Sequence, residues 1–261
     1  MVTGASGGIG RRVATALAAA GAERIGLHFA SDRQSAAATA EQLNTTWPSC
    51  RTDLFQADCG SHQDCQRLVD EAFDRLGRPD IWVHAAGVDV LTGDRAELSF
   101  DQKLRLLIDV DLVGSITVAR RFVWRASQPE IASVGTPPPS LILIGWDQAT
   151  AGMEGDAGQM FGPVKAAVEA FAKSLAQEVA PRIRVNSIAP GWIRTAWGAG
   201  VSGYWDRRAT SQALMNRWGT PEDVAAAAVF LADPAASGFI TGQTLEVNGG
   251  FNRRWASITN D

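Results

Sequence analysis

The run Val2-Thr3-Gly4-Ala5-Ser6-Gly7-Gly8-Ile9-Gly10 decides how the rest of the chain is read. A β-branched residue leads in, and glycines stand at 4, 8 and 10. An alanine-rich run follows with Val13, Ala14, Leu17 and Ala18 at helical spacing, and Gly21 closes it. That is strand, tight turn, helix. Glycines let backbone approach a bound group closely, and the free N–H groups at a helix start favour an anion. The stretch therefore predicts a phosphate held on the N-terminus of the first helix. Only Met1 and Val2 precede the turn, so the first strand is expected to be short.

Outward from there, hydrophobic periodicity predicts strands at 25–29, 53–57, 81–85, 141–144, 183–188 and 244–247. Helices are predicted at 33–43, 63–76, 100–128, 164–180 and 221–232. Strands alternating with helices imply parallel pairing in an α/β doubly wound sheet. No repeat or low-complexity linker interrupts the pattern, so residues 1–261 read as a single domain. In such sheets ligands sit beyond the carboxyl ends of the strands, so the residues just after each strand are the ones to search for chemistry.

Composition narrows the function classes. A hydrophobic content of 46% against 20% charged residues supplies a sizeable core. The net charge is −4 and no Lys/Arg cluster forms a basic stripe, which argues against a nucleic-acid partner. Cys50, Cys59 and Cys65 are sparse, odd in number and without metal-ligand spacing, so no metal site is expected and a reducing, cytoplasmic compartment is. No leader pattern and no long apolar run argues for secretion or membrane spanning.

Five motifs in order then become specific: Thr3–Gly10, Asp58 after the third strand, Pro190-Gly191-Trp192-Ile193-Arg194-Thr195, 217–225 and 242–250. With these the chain resembles the short-chain dehydrogenase/reductase family over essentially its whole length, and its ketoacyl-carrier-protein reductases in particular. The resemblance implies a Rossmann-type sheet and a nicotinamide dinucleotide. It assigns Gly4, Ser6, Gly8, Ile9 and Gly10 to the cofactor loop and Asp58 and Cys59 to the adenine side. Ala86 and Gly87 follow the fourth strand, Lys165 holds the ribose, and Pro190, Gly191, Ile193 and Thr195 lie on the nicotinamide side. It also implies a lid at about 192–216 closing over a small-molecule substrate, and a homotetramer, with a homodimer next.

The second strand ends in His28-Phe29-Ala30-Ser31-Asp32-Arg33, with no acid directly at its end. Ser31 and Arg33 suit a 2′-phosphate by hydrogen bond and charge, which favours NADP(H) over NAD(H). Asp32 is the competing ribose ligand, and Gly7 lacks the basic side chain that NADP-dependent relatives often carry.

The catalytic half departs from the family pattern. The family places a Tyr four residues before its Lys, and here Phe161 stands four before Lys165. The family's Ser position falls in Trp146-Asp147-Gln148-Ala149, its Asn is Asp111, and its Asn-Asn-Ala-Gly is His84-Ala85-Ala86-Gly87. Asp147 resembles the catalytic Asp of pteridine reductases, and Asp111 the Asp of peroxisomal 2,4-dienoyl-CoA reductases, which work without the Tyr. The expectation is hydride transfer to a carbonyl or conjugated C=C or C=N acceptor. Asp147 or Asp111 supplies the proton, directly or through water, and Lys165 positions the ribose. The structural alternatives are a helix cap for Asp147 and backbone bonding at a helix kink for Asp111. Pro163 predicts that the regular helix starts near 162–163, which takes Phe161 off the face of Lys165.

The lid carries Trp192, Trp197, Tyr204 and Trp205, which with Trp146 and Phe161 predict a hydrophobic slot edged by carboxylates for a flat or apolar substrate. Core or subunit packing is the alternative for these Trp residues, and a relocated proton donor the minor reading of Tyr204. His84 is expected to bond backbone near the crossover, and Cys59 to be a small buried side chain. His28 and His62 show no partner pattern. Two rival functions stay open on the same fold: a dehydratase or isomerase that keeps the dinucleotide as structure, and a catalytically silent NADP(H)-binding protein.

Overall fold

The computed structural model describes residues 1–128, 136–195 and 202–251. Seven parallel strands form one sheet: β1 (Val2–Thr3), β2 (Arg24–Phe29), β3 (Arg51–Gln56), β4 (Ile81–His84), β5 (Ser140–Ile144), β6 (Arg184–Pro190) and β7 (Thr244–Val247). Their order is β3-β2-β1-β4-β5-β6-β7. The chain leaves β1 toward β2 and β3, then crosses back to β4, so the switch point lies between β1 and β4, where Thr3 pairs with His84. The short β1 is sufficient because it is buried and paired on both sides.

Helices cover both faces: α1 (Gly8–Ala19), α2 (Arg33–Thr46), α3 (His62–Leu76), α4 (Phe100–Leu107), α5 (Ser115–Ala126), α6 (Gln148–Ala151), α7 (Gly155–Val179), α8 (Gly203–Gln212), α9 (Pro221–Ala232) and α10 (Pro234–Ser237). Side chains alternate across a strand, so β5 serves two cores. Ile142 packs with Val13, Leu17, Val224 and Leu231 under α1 and α9. Leu141 and Leu143 pack with Leu68, Phe122 and Leu175 under α3, α5 and α7. Burial on both faces is why the central strands read as continuous apolar runs.

The predicted strands and helices are present, and α9 and β7 match their predicted bounds. Two helices differ from expectation. The run from 100 to 128 is helical but not uniform: a π-helix, Ile108–Gly114, joins α4 to α5. The helix of Lys165 starts at Gly155, well before Pro163, which lies inside it. Proline ordinarily disfavours helix in the residue before it by a clash with that residue's Cβ. That residue is Gly162, so the Cβ part of the clash is absent, and the helix runs through.

Candidate active site

The glycine loop is fixed by close approach. Gly4 has φ +67°, and a Cβ there would lie 2.7 Å from the Ala85 carbonyl oxygen. A Cβ on Gly10 would lie 2.3 Å from the Gly4 carbonyl oxygen. Gly7 caps α1 with no side-chain hydrogen bond, and the first turn holds no acid, so the helix N-terminus is open to an external anion. These features fit the pyrophosphate of a dinucleotide.

Two buried histidines underpin that loop. The Gly4 N–H donates to His28 Nδ1 at 3.2 Å, which leaves His28 Nε2–H to donate to the Ala57 carbonyl at 3.0 Å. One imidazole thus ties the loop to β2 and to the end of β3. Thr3 Oγ1 lies 3.1 Å from His84 Nδ1 and accepts from the Ala86 N–H at 3.0 Å. The partner of His84 is therefore a hydroxyl, not backbone as expected. Burial pushes the His28 pKa down to about 4 and that of His84 down to about 3, so both are neutral props.

After β3, Asp58 Oδ1 accepts from the Gly60 N–H at 2.9 Å, closing a tight turn. Cys59 is buried, its thiol pushed up by the neighbouring Cys65 and by burial, which suits a small packing residue and not a nucleophile. At the end of β2, Asp32 caps α2 by accepting from the Ser35 N–H at 2.9 Å. Ser31 and Arg33 stand exposed beside it, the Arg33 guanidinium 6.0 Å from the Phe29 ring centroid. Arg11, which donates to the Ser6 carbonyl, is a cation of this region that sequence spacing did not single out.

Next to the loop lies an apolar cavity of about 480 Å³. Trp146, Phe161, Trp192 and Trp205 line it as expected, with Ile9, Pro190, Gly191, Ile193 and Thr195 where the cofactor side meets it. Leu91, Ile144, Gly145, Met153 and Ala157 also line it and were not anticipated. Phe161 and Lys165 share a face of α7 after all, and the Trp146 and Phe161 rings meet edge-on at 6.2 Å. Lys165 is the one ionisable group on the wall among the described residues.

Lys165 reaches a buried partner. Its Nζ lies 2.9 Å from Asp111 Oδ2 and donates to the Ile144 carbonyl at 3.2 Å. Asp111 is 2% exposed and its Oδ1 accepts from the Val88 N–H at 2.8 Å. The π-helix presents Asp111 here, and Gly87 lets the loop after β4 close over it, since a Cβ there would lie 2.9 Å from Oδ2. Both carboxylate oxygens are thus engaged. Three of Lys165's features follow: it is charge-balanced, fixed by two acceptors, and left with one further N–H.

Asp147 is not part of this wall, contrary to expectation. Trp146 and Asp147 leave the end of β5 in different directions, Trp146 into the cavity and Asp147 into a separate recess behind Gly191. The carboxylates therefore do not edge the apolar slot as a pair. Tyr204 is also set apart: it is 47% exposed and its hydroxyl accepts from Arg208 at 3.3 Å. Trp197 lies outside the described residues. The roof is instead an aromatic stack around Trp192, 5.7 Å from Trp205 and 6.0 Å from Trp218 between ring centroids. Trp192 Nε1 donates to Gln212 at 2.7 Å, and Arg208 pairs with Glu154 at the start of α7.

With the geometry in place, the comparisons decide the family. The family profile described as Enoyl-(Acyl carrier protein) reductase matches residues 4–252. The chain belongs to the short-chain dehydrogenase/reductase family of oxidoreductases. Within it, the chain is 33% identical to 3beta-hydroxysteroid dehydrogenase 1 of Eggerthella lenta, over 96% of this chain and 92% of that one. It is 30% identical to the 3-oxoacyl-[acyl-carrier-protein] reductase of Aquifex aeolicus, over 96% and 95%. Among solved structures of short-chain dehydrogenases, one from Burkholderia cenocepacia in complex with NADP superposes with a TM-score of 0.80 at 25% identity, covering 95% of each chain.

Proposed function

We propose that the protein is an NADP(H)-dependent reductase that acts on a carbonyl or conjugated C=C or C=N acceptor of flat, apolar shape. The observation that carries this reading is Lys165 Nζ on the cavity wall, 2.9 Å from buried Asp111. When bound, the dinucleotide supplies the hydride. Gly4, Ser6, Gly8, Gly10 and the start of α1 would hold its pyrophosphate. Ser31, Arg33 and Arg11 would take the 2′-phosphate, Asp58 the adenine, and Lys165 the ribose. The engagement of Asp32 as a helix cap supports NADP(H) over NAD(H).

Phe161 carries no transferable proton, so the proton comes from elsewhere on the wall. In this reading the Lys165 N–H now spent on the Ile144 carbonyl turns to the ribose when the dinucleotide binds, the third N–H is the proton donor, directly or through a water, and Asp111 balances the charge and holds the ammonium in place. Asp111 acts through Lys165, because its own oxygens are already engaged. Trp146, Phe161, Trp192 and Trp205 select a flat acceptor by stacking and exclude water. The same reading takes the chain as a cytoplasmic homotetramer or homodimer. Exposed Val113 and Trp124, beside and on α5, support pairing of these helices.

Stopped-flow NADPH oxidation across enones, pterins and ketoacyl thioesters tests it. One class is expected to turn over, with Lys165→Met slow and Asp147→Asn close to wild type. Equal slowing by Asp147→Asn would overturn the proton assignment. Tight NADPH binding without oxidation of any class would make the chain a silent binding protein. Substrate conversion with no net nicotinamide change would make it a non-redox enzyme.

A further inference from the structure

The last residues of β5 outrun the strand on one side. The β4–β5 ladder stops at the His84–Leu143 pair. Along β6 the chain stays paired: the Gly145 N–H donates to the Ile188 carbonyl at 2.7 Å and the Asp147 N–H to the Pro190 carbonyl at 3.1 Å. Alternate residues of a strand turn their backbone groups to opposite edges. The Ile144 carbonyl and the Trp146 N–H therefore face the side where β4 has ended. Buried backbone groups need partners, and here α7 supplies both. Lys165 Nζ donates to the Ile144 carbonyl at 3.2 Å, and Glu169 Oε1 accepts from the Trp146 N–H at 3.1 Å. The two side chains are one turn apart, so one face of α7 stands in for a strand.

Glu169 is built into this place. It is 4% exposed, and its helix neighbours Val168 and Ala172 are buried apolar residues. A carboxylate is costly to bury in such company. A Cβ on Gly145 would lie 2.2 Å from Glu169 Oε1, so β5 admits the carboxylate only because that position is glycine. Trp146, whose backbone it holds, sends its ring into the apolar cavity, where it meets Phe161 edge-on. Phe161 also belongs to α7, so the backbone tie and the ring contact join the same two elements.

The two ties differ in permanence. In the reading proposed above, on which this inference rests, Lys165 leaves the Ile144 carbonyl for the ribose when the dinucleotide binds. Glu169 then holds this edge of β5 alone. We propose that Glu169 is a positioning residue for the acceptor: it keeps Trp146 on the cavity wall, and the loaded state depends on it more than the free chain does.

Titration with prodan reads this without turnover when NADP+ is the bound nucleotide. Prodan is a flat, neutral naphthyl ketone whose emission shifts to the blue in apolar surroundings. The wild-type chain is expected to bind it saturably. Glu169→Leu is expected to weaken that binding about tenfold with NADP+ bound, and less without it, because Lys165 still holds Ile144 in the free chain. Glu169→Gln keeps an oxygen for the Trp146 N–H and is expected to restore binding to within about twofold of wild type. Equal weakening with and without NADP+ would reduce Glu169 to a structural strut and overturn the proposal. So would a folded Glu169→Leu that binds prodan as the wild type does. A Glu169→Gln as weak as Glu169→Leu would assign the effect to charge near Lys165 and overturn it as well. Should Glu169→Leu not fold, Gly145→Ala displaces the same carboxylate and is expected to give the same pattern. A wild-type chain that binds no prodan would sink the flat-acceptor reading itself, and the proposal with it.

Discussion

The floor of the site and its wall are built in opposite ways. The floor is local: glycines at fixed spacing, an uncapped helix, and two neutral histidines bonded to backbone and hydroxyl within a few strands of each other. The wall is assembled from afar. Lys165 comes from α7, Asp111 from the π-helix, Trp146 from the end of β5 and Trp205 from α8. The floor constrains backbone shape, whereas the wall constrains which side chains meet. At Gly4 and Gly10 the first tolerates no added atom, and the second responds to charge and hydrogen bonds.

The largest expected effect lies in the floor. Gly10→Val drives a side chain into the Gly4 carbonyl, which cannot swing aside. Overpacking of this kind costs up to about 3 kcal/mol, and NADPH binding, followed by fluorescence, is expected to be lost. Retained affinity would dissolve the distinction. In the wall, Lys165→Met is expected to cut turnover about a hundredfold, the usual scale of a lost proton donor. It also strands Asp111 as an unpaired buried charge, at a cost of about 3 kcal/mol in denaturant titration. Asp111→Asn should slow turnover less, and the double variant should resemble Lys165→Met alone, because the two act as one unit.

A smaller change sharpens the contrast by gain. Phe161→Tyr puts a phenol on the face already shared with Lys165, and ketone reduction is expected to rise about tenfold in steady-state assays. No rise would mean that the wall selects against ketones by shape. The smallest effect returns to the floor. The His28 pKa falls from 6.5 to about 4 on folding, so between those values the unfolded chain binds more protons than the native one. Its contribution is therefore intact above pH 6.5 and lost as pH falls toward 4. His84 acts in the same direction. A melting temperature that declines through this window, less steeply in His28→Gln, is the expected result.

The same contrast sets what the sequence discloses. Glycine spacing, strand–helix alternation and the Pro190–Thr195 turn are local patterns, and the sheet and cofactor loop were legible from them. Trp146, Trp192 and Trp205 line the cavity as expected because each follows a strand or lies on the lid, and Phe161 and Lys165 do so because four residues is one turn of α7. Asp147 was not, because one step of backbone past Trp146 reverses the direction of the side chain, and residue type does not encode that. Pro163 misled because the relief comes from the absent Cβ of Gly162. Glu154 and Arg208 stand 54 residues apart with no local pattern linking them, so their pairing had no sequence signal.

The π-helix at Ile108–Gly114 carries a consequence for how this protein changes over time. A π turn holds about one residue more than an α turn, and an α-helix rotates about 100° per residue. Deleting a single residue between 108 and 110 would restore an ordinary helix while swinging Asp111 away from Lys165 and leaving the glycine loop untouched. Under the proposed chemistry, loss of one codon would thus part the Lys165 ammonium from its counter-charge while the glycine loop keeps its shape.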